Sequence, residues 1–197
     1  MRTKKSTVNP SRKILSTAIA CLSEKGYANV SMRDIASESG VALSQLTYYY
    51  KNKEGLFTEV IHEMMAQYLQ EMEDTMKSAV GAKAKTASLI SYFKDLVKEK
   101  PKLLRLFIDF TAQSLWVPSF REQVDHLFCR LTEMIEENIL KDTEMSANLD
   151  GYSSASIARY ILGALYGTSI QIMLGSDKTS AFESFQLTDS LFAAQEL

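Results

Sequence analysis

An all-α protein is what this sequence predicts, and three observations carry the prediction. Only 8 glycines and 3 prolines occur in 197 residues, so few positions break a regular backbone. Alanine, leucine, methionine, glutamate, lysine and glutamine recur at helical spacing, and these residues lose least on entering a helix. With 46% hydrophobic and 23% charged residues the composition is that of a globular chain, long enough for one sizeable core or two small ones. The pattern accommodates about nine helices, divided into a three-helix N-terminal domain over residues 1–52 and a larger helical body over residues 53–197.

The first helix opens in "NPSRKILSTAIACLSEKGY", where Asn9 is placed to cap and Pro10 takes the first helical position, a site where its missing N–H costs nothing. Ile14, Leu15, Ala18, Ile19 and Leu22 share one face, and Gly26 stops the helix. In "VSMRDIASESGV" Ser31 precedes Asp34 by three residues, the spacing of a capping box, while Val30 and Ile35 are spaced for a hydrophobic staple. Ala36 is small enough to admit a neighbouring helix, and Gly40 can adopt the left-handed conformation of a sharp turn. The third helix runs from about Ala42 to Tyr50, and Asn52 caps a fourth. Leu46 and Tyr50 lie four apart and face the core, so Ser44, Gln45, Thr47, Tyr48 and Tyr49 are left at the surface.

From Leu56 to Met76 the apolar residues keep helical spacing for more than five turns, which predicts one long helix. The stretch "VGAKAKTA" interrupts the pattern and is expected to be a loop, followed by a helix through Leu89, Tyr92, Phe93, Leu96 and Val97. Pro101 starts the next helix, in which "LLRLFIDFTAQSLWVPSF" is apolar on nearly every face. Ser119 with Glu122 has capping-box spacing ahead of a helix through Val124, Leu131 and Ile139. A turn at Asp150, Gly151 and Ser153 leads to a helix from Ile157 to Met173, too apolar to be covered by one face of a small body. Gly163 and Gly167 would let a further helix approach it closely, and a last helix carries Phe182, Phe185, Leu191 and Phe192.

Charge divides along the same line as the helices. Residues 1–55 carry nine Lys and Arg against four Asp and Glu, net +5, and residues 56–197 carry thirteen against twenty, net −7. A basic head on an acidic body is the footprint of a protein whose one end meets a polyanion. Two short helices joined by a glycine turn form a helix-turn-helix, which sets its second helix in the major groove. Gln45 can pair with adenine, Thr47 offers a hydroxyl and a methyl, and the tyrosine hydroxyls suit phosphate oxygens. Lys53, the free N–H groups at the start of the fourth helix, and Lys51 nearby make a phosphate site.

Taken together, "ILSTAIACLSEKGYANVSMRDIASESGV" and "LTYYYKNKEGLF" resemble the DNA-binding domain of the TetR family of transcriptional regulators, over about residues 11–60. The resemblance implies that Arg33, Gln45, Tyr49 and Lys53 stand where relatives contact bases or phosphates. Arg33 could alternatively pair with Asp34 or Glu38. It implies a body holding a ligand cavity, with Tyr92, Phe93, Phe107, Phe110 and Trp116 as candidate lining and an apolar or aromatic small molecule as effector. It also implies a homodimer through the last two helices, with Ile161, Gly163, Leu165, Gly167, Ile170 and Phe185 as candidate contacts, a palindromic duplex as partner, and release of a repressor by its effector. Three positions depart from the family pattern: Ala42 stands at a usual Ser or Thr cap, Thr47 at a usual tyrosine and Gly55 at a common glutamate. These departures leave open a helical adaptor that kept the fold without specific DNA binding.

Other classes find little support. The two histidines, His62 and His126, fall on different helices, and no Gly-rich phosphate loop, HExxH, CxxC or GxSxG occurs, so no enzyme and no cofactor are expected. Glu122 and His126 are one turn apart, but two ligands do not make a metal site. Asp109 could hold a cationic ligand or simply pair with Arg105. Cys21 and Cys129 suit a reducing compartment, and "MRTKK" precedes no apolar export segment. The most apolar run, Tyr160 to Leu174, is too short and polar for a membrane span, and a cytoplasmic protein is expected.

Overall fold

The computed structural model describes residues 9–141, 151–175 and 178–193, the last segment without the side chains of 178, 181, 189 and 191–193. The expected turn residue Asp150 and the side chains of Leu191 and Phe192 therefore lie outside the described residues. Nine α-helices and one π-helical turn account for the described fold: α1 (Pro10–Lys25), α2 (Met32–Ser39), α3 (Leu43–Tyr50), α4 (Lys53–Lys77), α5 (Ala82–Lys98), α6 (Pro101–Ser114), α7 (Pro118–Ile135), the π-helical turn (Glu136–Leu140), α8 (Ser154–Met173) and α9 (Lys178–Ala193).

Local chemistry sets the N-terminal boundaries. Asn9 accepts the Ser11 N–H at 3.1 Å, and Ser31 and Asp34 exchange bonds across both arms of a capping box. Gly40 ends α2 at φ 66°, a conformation that glycine alone adopts freely. Gly55 is the other glycine the backbone demands, because a Cβ there would sit 2.5 Å from the Tyr50 carbonyl oxygen. The sequence suggests that Gly55 merely weakens the first turn of α4. Instead it is what allows the chain to fold back through Lys51, at φ 60°, into the Asn52 cap.

The core is continuous from these helices into the body. Ile14, Leu22, Ile35 and Leu46 are fully buried, as are Phe57 on α4, Phe93 on α5, Phe110 on α6, Phe120 on α7 and Phe185 on α9. Two boundaries differ from expectation. The segment Ala82–Ala87 is helical rather than a loop, since Gly81 turns at φ 82° and a run of alanine and lysine then favours helix. α7 starts at Pro118 with no side-chain cap, because Val117 fills the cap position; Ser119 lies inside the helix and its Oγ donates to Glu54 Oε1 on α4 at 2.6 Å rather than closing a box with Glu122.

Candidate nucleic-acid interface and effector cavity

α3 is a two-faced helix of eight residues. Leu46 is fully buried and Tyr50 nearly so, its hydroxyl 2.8 Å from Ser11 Oγ and donating to the Ser11 carbonyl. That anchors α3 on α1 and turns its other residues outward: Ser44 and Thr47 are exposed, Gln45 is half-buried, and Tyr48 and Tyr49 are 82% and 41% exposed. Their rings meet edge-on with centroids 5.5 Å apart. Thr47 Oγ1 donates to the Leu43 carbonyl at 2.7 Å, so its hydroxyl hydrogen is spent within the helix. Arg33 and Lys51 are exposed, and among the described residues Arg33 forms neither of its alternative ion pairs. Lys53 is less free than its spacing suggests. Its Nζ donates to the Tyr27 carbonyl at 2.8 Å and stands 4.3 Å from the Tyr27 ring centroid. Burial pushes its ammonium below the ordinary lysine value, partly offset by Asp109 and Asp34.

α4 leaves this surface and runs into the body, where it forms one wall of a cavity of about 30 Å³, room for roughly one water. Tyr68, Met64, Met65 and Glu71 line it from α4, Leu96 from α5, Leu103, Phe107 and Phe110 from α6, and Leu127 from α7. Tyr68 and Phe107 stack with centroids 5.9 Å apart, and Phe107 also meets Phe128 and Tyr166. Tyr68 lines this apolar space, its hydroxyl has no hydrogen-bond partner among the described residues, and burial raises its pKa. Glu71 closes the polar end. Burial alone would raise its pKa, but bonds from Lys100, Gln67 and Tyr92 prevail and hold the carboxyl below its usual range.

Of the expected lining, Phe107 and Phe110 reach the cavity and Tyr92 stands at its edge against Tyr68. Phe93 is a fully buried core ring that does not line it. Trp116 is a correction: the α6–α7 turn throws it outward, 82% exposed. Asp109 is another, because its Oδ2 accepts the Tyr27 backbone N–H at 2.7 Å rather than pairing with Arg105. Tyr68, which the sequence pattern does not single out, is visible there only as one apolar position of the α4 stripe. The fold alone shows that its hydroxyl is left over.

Residues 14–60 match the family model of bacterial regulatory proteins of the tetR family. Over those residues the chain is similar to the TetR family. Its similarity to the fatty acid metabolism regulator protein of Bacillus subtilis is 35% identity over 78 residues, 40% of each chain, so the match spans about two fifths of that relative's length. Over nearly the whole chain it shares its fold with a TetR transcription regulator from Haloarcula marismortui, at 18% identity and TM-score 0.77, covering 94% of this chain and 97% of the other. It is also similar to FadR from Bacillus subtilis, solved with stearoyl-CoA, at 20% identity and TM-score 0.69, covering 93% and 96%.

The outer face of α8 and α9 holds a second concavity of about 260 Å³. Gly163 and Gly167 line it, a Cβ on either meets nothing within 4 Å, and Tyr160 and Leu187 flank it, 70% and 62% exposed. The other expected contacts divide. Ile161, Leu165 and Phe185 pack inside the protomer at 2%, 1% and 0% exposure, because α8 packs on α5 and α7 and α9 on α5 and α8, while Ile170 is half-buried. Tyr160 and Leu187 are the surface residues that helical spacing alone does not single out. Among the described residues no helix is long and apolar enough to cross a membrane, and no three metal-ligating side chains cluster.

Proposed function

We propose that this protein is a cytoplasmic, homodimeric transcriptional regulator, a repressor that occupies a palindromic duplex and leaves it when an apolar or aromatic small molecule enters the body. The observation that supports this best is α3, whose buried Leu46 and Tyr50 fix a helix that offers Ser44, Gln45, Thr47, Tyr48 and Tyr49 to a partner. In a two-fold dimer through the α8–α9 face, about 34 to 36 Å between recognition helices would match successive major grooves. Phosphates would be held by Arg33, Lys51 and the remaining N–H groups of Lys53, with residues 1–52 as the reading unit and 53–197 as sensor. The protein binds rather than catalyses.

The cavity suits an effector that is mostly apolar with one hydrogen-bonding group for the Tyr68 hydroxyl. At about 30 Å³ it cannot admit such a molecule without parting α4 from α6. A ligand that favours the parted state tilts α4, and with it the α3 that α4 follows, so the two recognition helices lose their spacing. A coupling of about 1 to 3 kcal/mol is the ordinary scale. Two variants test the interface on a duplex selected from a random pool. Lys53→Ala weakens every sequence alike and flattens the salt dependence by about one unit of slope, whereas Gln45→Ala relaxes preference at one base position. A uniform loss from Gln45→Ala contradicts its role as a base reader.

A further inference from the structure

The turn between α1 and α2 is gripped by two of the four helices that line the cavity. Asp109 Oδ2, on α6, accepts the Tyr27 N–H at 2.7 Å, and Lys53 Nζ, on α4, donates to the Tyr27 carbonyl at 2.8 Å. The Tyr27 ring packs edge-on against Phe57 of α4 and Phe120 of α7, with centroids 4.8 and 5.5 Å away. Gly26, at φ 75°, opens the approach, since even a Cβ there would come within 3.4 Å of the carboxylate. Asp109 lies between Phe107 and Phe110, both cavity residues, and the Phe110 ring meets Phe120 at 6.1 Å. Lys102 with Glu24, which also ties α6 to α1, is at the exposed surface, where such pairs hold weakly. The Asp109 bond is partly buried and charge-assisted.

We propose that Asp109 is the positioning residue that couples the cavity to the DNA-reading helices, by holding the Tyr27 amide to α6. A shift of α6 away from α4 then pulls the α1–α2 turn from one side while Lys53 holds it from the other. The turn moves and Lys53 loses its place. This rests on the cavity being the effector site. It differs from transmission through α4 alone, which is covalent and would operate whatever residue stood at 109.

Leu103→Trp serves as the probe in place of a ligand, because a cavity of about 30 Å³ cannot take the added ring without displacing α6. DNA affinity of the full chain is measured on a duplex that the unaltered protein selects from a random pool, in three backgrounds: unaltered Asp109, Asp109→Asn and Asp109→Leu. Leu103→Trp should lower affinity about tenfold with Asp109 present, nearly as much in Asp109→Asn, whose carboxamide oxygen still accepts the amide, and less than about twofold in Asp109→Leu. Hydrogen exchange at the Tyr27 amide should be slow in the first two and fast in the third. Equal losses in all three backgrounds overturn the proposal and leave α4 as the sole carrier. Asp109→Ala replaces Asp109→Leu if the latter does not fold. Should the unaltered protein prefer no duplex, the regulator reading fails instead, and the Tyr27 amide still decides: exchange unaltered by Leu103→Trp overturns the coupling.

Discussion

The helices that frame α3 and the central helices α5, α6 and α7 begin by different means, and α8, capped by Ser153, follows the first group. α1, α2 and α4 each start on a side chain that bonds a free backbone N–H: Asn9, Ser31 with Asp34, and Asn52. α5, α6 and α7 start at Gly81, Lys100 and Val117 with no side-chain cap at all. What holds them is burial, through Phe93, Phe110 and Phe120 at 1%, 1% and 0% exposure. The starts of α1, α2 and α4 are thus specified by neighbours in sequence and those of α5, α6 and α7 by neighbours in space. The difference suits the proposed function, in which a recognition surface needs fixed ends and a sensor lets packed helices part.

Mutations can break this contrast. Phe110→Ala should have the largest effect, about 3–5 kcal/mol of stability by thermal or denaturant unfolding, while Ser31→Ala removes one cap and should cost about 1 kcal/mol. Equal losses would mean that the N-terminal helices also depend chiefly on packing. A smaller change sharpens the contrast from the other side. α3 is the N-terminal exception, its cap position filled by Ala42 with no side-chain bond. Ala42→Ser should therefore stabilise the protein by up to about 1 kcal/mol, and no gain in the unfolding midpoint would show that the buried Leu46 and Tyr50 already determine where α3 begins.

The same division explains what was legible in the sequence. Caps and turns are encoded within four residues, so Asn9, Ser31, Gly40 and Asn52 could be assigned from spacing, as could the burial of Tyr50 from its distance to Leu46. Where a side chain has a competing partner far along the chain, spacing misleads. Ser119 has the right interval for a box with Glu122 but bonds Glu54, and Asp109 has Arg105 one turn away but bonds Tyr27. Ring content likewise does not say which way a ring points: Trp116 and Phe120 are four residues apart, one exposed and one buried. The pattern of α8 shows that it is too apolar for one covering, yet not that Ile161 and Leu165 belong to the protomer while Tyr160 and Gly163 face out.

The central claim, that the outward face of α3 reads DNA, is tested most directly by fluorescence anisotropy of the purified protein on DNA from upstream of its own gene. It is run at low and physiological salt, against a random duplex and a duplex selected from a random pool. The account predicts salt-dependent binding to the upstream or the selected duplex with a preference of about a thousandfold over the random one. Binding to all three with equal affinity would contradict it and leave a helical protein that keeps the TetR fold for another use.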